Sequence, residues 1–530
     1  PVTSAFTATS PVNPGSTSTL AWTVTDATSC TPSMMSGTDA TWTGSTPNPV
    51  SGSMSSGVFT AVKRVYRLSC TGAGGGPVTA DATVFGGYRL AKHPSNGHWL
   101  RWMDGSAKML LGYGLNTWKP TSAEMDTYQG KMNYWRLFAF SFNELFEPDD
   151  DQRMGMPVVR SGGAGSDWDY ATWNQNFWDN LHTFLTNAYD HGIAAGICLW
   201  DGHWALPGGL AENTSTWTTA NNIQSLVWSW TNSTTNLVNA TPCPTTTDAA
   251  ELGCYQQKFM ERLRDELAPY PHVIIELNNE DSAGNSNGAY SDWYLHWATL
   301  FNNAGFMIAV TEEASTDGDA VTDATFNSTA SLSMKSYHTR SGNPFTATRM
   351  GYNKMIVNDG DNSGDDEPAA TARLYAWRAL VRGGHWNDYT EAGTFPIAAK
   401  LDQYGYLLSF LSTYHPPLTA MVPNQTVGAG NCMTAGASSP LCLWQSGTAW
   451  LLYVTANVTV NLAAAPSGTL NYRWYNPVNG AEVSPSSVTC PCTTQALTKP
   501  SDNTDMVLYI GNVGDVTAPA APLNLRVVSP

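Results

Sequence analysis

His272-Val273-Ile274-Ile275-Glu276-Leu277-Asn278-Asn279-Glu280-Asp281 is the stretch that decides how the rest of the chain is read. Its apolar, β-branched first half predicts a strand buried on both faces, as parallel strands are. It then ends abruptly in amides and carboxylates. In α/β folds the carboxyl ends of such strands are where chemistry sits. The Asn279-Glu280 pair there suggests an acid beside an amide able to bind a hydroxyl. The alternative is a capped strand end, because Asn and Asp favour turns.

Working outward, strand and helix patterns alternate from residue 88 to about 414. Strands are expected over 109–115, 134–140, 194–200, 273–277, 307–310, 332–336, 355–357 and around 383–386. Helical periodicity lies between them, notably over 173–188, 255–267, 290–303 and 370–381. Eight such units predict a (β/α)8 TIM barrel with insertions. The longest insertion, 201–247, follows the third strand and is expected over the carboxyl-end face.

The flanks read differently. Residues 1–87 hold short Thr/Ser/Val runs broken by Pro and Gly, with Cys30 and Cys70 in two alternating runs and Trp22 nearby. That predicts a β-sandwich resembling bacterial immunoglobulin-like modules. Residues 415–512 return to strands, over 450–454, 469–475 and 506–510, and predict a second sandwich. In 513–530 a Pro/Ala linker precedes 523–527, which looks like the first strand of a fibronectin-type module cut short. The fold class expected is therefore multidomain, a central barrel between two sandwiches. Further domains or self-assembly beyond residue 530 fit that reading.

Composition narrows the function. Only 13% of residues are charged and the net charge is −17, with 26 Lys+Arg. Nucleic acid and anionic membranes are disfavoured as partners, whereas neutral glycans need no charge steering. The 21 Trp and 22 Tyr supply flat rings on which sugars stack, although most such rings in any protein serve the core. Nine Cys fit an oxidising, extracellular setting, with Cys30/Cys70, Cys243/Cys254, Cys432/Cys442 and Cys490/Cys492 as expected disulfides. Cys198, inside an apolar run, is the expected free thiol. No stretch is apolar and long enough to span a membrane, and the chain opens at Pro1 in a strand-like segment, as a processed secreted protein does.

The barrel segment resembles the clan A glycoside hydrolases, retaining sugar-cleaving enzymes. The resemblance rests on residues at successive strand ends: Arg136 after the second, His203-Trp204 after the third, Asn279-Glu280 after the fourth, Tyr337-His338 after the sixth and Trp386 after the eighth. It implies that Glu280 is the acid/base and that Arg136, His203, Trp204, Asn279, Tyr337, His338 and Trp386 bind substrate. The clan's nucleophile is a Glu ending the seventh strand. Here Asp359 stands there, with Asp361 two residues on.

Asp reaches roughly 1.3–1.5 Å less far than Glu. Retaining enzymes hold their carboxyls ~5–5.5 Å apart and inverting ones ~6.5–9.5 Å. The departure thus leaves two functions open: an extracellular hydrolase of poly- or oligosaccharides, or an inactive surface relative that binds glycan or serves assembly. Glu312 and Glu313 compete as mouth carboxylates. No cofactor is expected, except that Asp359, Asp361 and Asp365 resemble the start of a calcium loop, with Ala370 where its last ligand belongs. Six Asn-x-Ser/Thr sequons, at Asn213, Asn232, Asn239, Asn327, Asn424 and Asn457, mark possible glycan attachment points.

Overall fold

The computed structural model describes residues 3–45, 47–48, 51–73, 75–115, 119–138, 154–162, 167–200, 222–224, 249–279, 288–312, 321–338, 343–360, 368–390, 398–436, 441–501 and 503–511.

Eight parallel strands close into a barrel. They are β1 Leu111–Leu115, β2 Tyr134–Phe138, β3 Ala194–Cys198, β4 Val273–Glu276, β5 Met307–Glu312, β6 Met334–Tyr337, β7 Met355–Asp359 and β8 His385–Thr390. Each strand pairs with its sequence neighbours, and β1 with β8 closes the ring. Strands β3, β4, β6 and β7 are buried at every residue, as parallel strands covered on both faces are. Helices α1 Ser122–Tyr128, α2 Gln175–Asp190, α3 Ala249–Leu267, α4 Gly288–Asn303, α5 Asp323–Ser328, α6 Ala369–Val381 and α7 Ala398–Tyr414 connect and surround them. α2 shows why they dock: Phe177, Trp178, Leu181, Phe184, Leu185, Ala188 and Tyr189 recur at helical spacing and are all buried.

A three-stranded sheet, Ala91–His93, Asn96–Arg101 and Ala107–Lys108, meets the amino-end of the barrel. There His385 accepts the Leu110 N–H at Nδ1 (2.8 Å), so its proton sits on Nε2, which donates to the His98 carbonyl (2.7 Å).

Before it, two three-stranded antiparallel sheets enclose one apolar cluster around Trp22, Trp42, Tyr66 and Leu68. Cys30 and Cys70 are bonded, but they face each other directly on adjacent strands of one sheet. The bridge therefore staples neighbours, unlike the inter-sheet bridge of an immunoglobulin domain. Cys432–Cys442 and Cys490–Cys492 are also bonded, Cys254 is bonded, and Cys198 is a buried free thiol. Cys243 lies outside the described residues.

Beyond α7, a six-stranded and a three-stranded sheet follow. Strand Ala449–Val454 of the larger sheet is buried throughout. Trp450, Leu452 and Val454 face a local cluster, while Leu451 and Tyr453 join the barrel's own core. Strand Met506–Ile510 divides in the same way. One core thus runs from the barrel into this sheet. A buried ion pair crosses the junction, with Arg373 of α6 donating from Nε and Nη2 to the two oxygens of Asp505, each at 3.1 Å. Among the described residues no helix is long and apolar enough to cross a membrane. The 516–522 linker and the 523–527 strand expected from sequence lie outside the described residues.

Candidate active site

The barrel interior is polar towards the carboxyl ends of its strands. Tyr134 and Arg136 of β2 point inward, and Tyr134 has room because Gly112 stands opposite it on β1 and Gly196, two residues beyond its partner Ala194 on β3, leaves space for its hydroxyl. A Cβ on Gly196 would lie 2.3 Å from the Tyr134 hydroxyl, and one on Gly112 would lie 2.6 Å from its Cβ. Burial, and then the nearby Glu276 charge, push the Tyr134 phenol well above its ordinary range.

Arg136 is the centre of the constellation. Its Nε donates to Glu276 Oε2 at 2.7 Å and its Nη2 to Glu276 Oε1 at 2.5 Å, a bidentate pair. Nη2 also reaches Asn279 Oδ1 at 2.7 Å, and Nη1 lies 3.7 Å from Asp359 Oδ2. Thr311 donates to Glu276 Oε1. Burial opposes the guanidinium charge, but Glu276 and then Asp359 more than offset it and hold Arg136 protonated well above its usual range. The backbone N–H of Asn279 donates to the Trp200 carbonyl at 2.8 Å, tying the end of β4 to the segment after β3.

Asp359, the last residue of β7, is 0% exposed. Ser336 Oγ donates to its Oδ2 at 3.1 Å, and Asn387 Nδ2 to its Oδ1 at 3.3 Å. His338 Nε2 lies 3.8 Å from Oδ2. The structure thus brings Arg136, Asn279, Asp359 and His338 together.

Two sequence-predicted residues face the other way. β8 runs through His385–Thr390, so Trp386 sits near its start and not at its end. Alternation puts His385 and Asn387 inside and sends Trp386 outward. Its indole N–H donates to Tyr404 of α7 (3.1 Å), and its ring packs on Tyr375 of α6 at 5.3 Å. Tyr337 likewise leaves the barrel. Its hydroxyl donates to Asp323 at 2.7 Å, and Arg349 stacks over its ring at 3.9 Å. Both side chains pack against the outer layer, apart from the Arg136 constellation.

Glu280, Asp361, His203, Trp204, Glu313 and Asp365 lie outside the described residues, as does the Glu312 side chain. Of the three residues expected to form a calcium loop, only Asp359 is described, and its carboxylate is directed into the barrel.

Glu276, Thr311, Ser336 and Asn387 were not singled out from the sequence. Glu276 carried a signal, since a charge within a buried run requires a buried partner. Asn387 would have followed from two-residue alternation had the eighth strand been extended past Trp386.

No protein-family profile matches the chain, and no curated protein matches it. Solved structures do resemble it. A putative glycoside hydrolase from Bacteroides vulgatus shares 12% identity at a TM-score of 0.55, covering 95% of this chain and 100% of its own. A family 5 glycoside hydrolase from the same organism gives 13% identity and a TM-score of 0.51, over 80% of this chain and 93% of its own. Another glycoside hydrolase gives 12% and 0.50, over 80% and 97%. At such identities the likeness is one of fold. The chain has a glycosidase-like barrel with flanking domains.

Proposed function

We propose that the chain is an extracellular glycoside hydrolase acting on a poly- or oligosaccharide through carboxylic acids at the barrel mouth. The observation that carries this reading is the position of Arg136. One guanidinium reaches both Asn279, the residue before Glu280, and Asp359 at the end of β7. The ends of β4 and β7 therefore converge on one point, as two-carboxylate sugar chemistry requires.

In this reading Glu280 holds a proton and delivers it to the leaving oxygen. Asp359, beside Arg136, either attacks the anomeric carbon or activates water, with Asp361 as the fallback. Asn279, its carbonyl oxygen fixed by Arg136, and His203, Trp204 and His338 contact sugar hydroxyls. Retention is the expected outcome, through a covalent intermediate. Residues 1–87 and 415–512 are read as sandwich modules flanking a barrel of 88–414, with the Cys243–Cys254 bridge completing the set expected of an oxidising compartment. Calcium at Asp359, Asp361 and Asp365 is kept as a subordinate possibility.

A second reading, an inactive glycan-binding relative, draws on the full burial of Asp359 and its engagement by two neutral donors. One experiment addresses both readings. Wild type, Glu280→Gln and Asp359→Asn are assayed on a panel of neutral plant and bacterial polysaccharides, and the anomeric form of the first product is read by NMR. Turnover lost by orders of magnitude in both variants, with folding intact, supports the hydrolase. Binding without turnover in the wild type supports the relative, and near-normal activity of Glu280→Gln ends the assignment of that residue.

A further inference from the structure

Asp359 is gripped from both neighbouring strands. Asn387 stands directly opposite it across the β7–β8 ladder and donates to Oδ1. Ser336, on β6, donates to Oδ2. All three side chains are buried. Among the described residues, the charged and titratable groups near the same carboxylate include Arg136 and Tyr134 of β2, Glu276 of β4 and His338 just past β6. Arg136 is committed to Glu276 in a bidentate pair and stands 3.7 Å from Asp359, too far for a hydrogen bond. The direct donors from the flanking strands are therefore neutral.

This arrangement has a consequence for direction. The last torsion of an Asp side chain is broad and roughly two-fold, so a single donor leaves the carboxylate plane free to turn. Two donors from opposite sides, one to each oxygen, fix the plane. We infer that Asn387 and Ser336 are positioning residues that lock the orientation of the Asp359 carboxylate, the function of which rests on the hydrolase reading above. They also explain how an Asp serves at a position where the resemblance expects Glu: the shorter arm is met by donors set deep in the barrel wall.

The test uses the full chain with Asn387→Ala, Ser336→Ala and Ser336→Thr, the last of which keeps the hydroxyl. Asn387→Leu keeps nearly the same side-chain size while removing the donor, and it covers the case in which the alanine variant does not fold. Two readouts are taken. The first is the infrared carboxylate stretch of Asp359, assigned by difference from Asp359→Asn at a single pH. It shifts in Asn387→Ala, Asn387→Leu and Ser336→Ala and stays in place in Ser336→Thr. The second is steady-state kinetics on the polysaccharide that the wild type cleaves. There kcat falls between about 10- and 100-fold in the donor-deleted variants, KM stays within about twofold, and Ser336→Thr restores turnover. Unmoved carboxylate bands in folded donor-deleted variants overturn the inference, whatever the kinetics. Shifted bands in a protein whose wild type cleaves nothing support the carboxylate clamp and refute the hydrolase reading instead.

Discussion

Arg136 on β2 and Glu276 on β4 form a bidentate ion pair inside the barrel, with N–O distances of 2.7 and 2.5 Å and both side chains almost wholly buried. Arg136 thus joins structure to chemistry. Glu276 fixes it, and it in turn orients Asn279 and lies close to Asp359.

Breaking that pair from one side leaves an uncompensated buried charge. Glu276→Gln is expected to lose roughly 3–5 kcal/mol of stability, and Arg136→Met with Glu276→Met recovers only part of the loss, because removing the guanidinium also takes away the cation beside buried Asp359. Chemical denaturation of the three proteins checks this. A double variant no more stable than the single one would show that the pair is not the source of the effect.

Acid should destabilise the fold through its buried histidines. Burial lowers His385 and His272 to about 3, against 6.5 in the unfolded chain. His385 also cannot take a second proton without aiming Nδ1–H at the Leu110 N–H. With the folded-state value depressed, the unfolded chain binds protons first. Stability is therefore level above about pH 6.5 and falls as pH drops from there towards 3, at up to about 1.4 kcal/mol per pH unit for each histidine. The melting temperature, followed from pH 7 to 4, should fall less steeply for His385→Asn than for wild type. Parallel curves would refute the assignment.

The carboxyl-terminal sheets are structurally inseparable from the barrel. A chain ending at residue 414 uncovers Trp377, Phe410 and Tyr414, which pack against Tyr453, Tyr475 and Tyr509. It also strands Arg373. We expect that truncation to aggregate on expression, and Asp505→Ala in the full chain to lose roughly 3–5 kcal/mol. A monomeric, folded 1–414 fragment, seen by size-exclusion chromatography and circular dichroism, would contradict the shared core.

Trp386 separates a packing role from a sugar platform. Its ring lies between β8 and the outer helices, so Trp386→Ala should cost about 3–5 kcal/mol of stability, as large-to-small core changes do. Trp386→Phe should keep KM for polysaccharide within about twofold. A rise of tenfold or more in KM, with the melting temperature unchanged, would return the residue to the binding face.

The sequence by itself determined the order and kind of the elements. Eight strand-like runs alternating with helices predict a parallel sheet layered with helices, and the runs over 109–115, 134–140 and 273–277 each hold the strand observed there. It also determined which carboxylate ends the seventh strand, and which cysteines lie near enough in sequence to bond. Only the tertiary structure decided which way the end residues face. Successive side chains on a strand point to opposite sides, so locating the start of β8 within a residue decides between Trp386 and Asn387 as the inward group, and a local pattern leaves strand ends uncertain by more than that. The partner of Arg136 was settled in the same way. Glu276 is 140 residues distant along the chain and meets it only because β3 seats β2 and β4 on its two sides. Cys30 and Cys70 likewise share one sheet through strand pairing, which spacing along the chain does not encode.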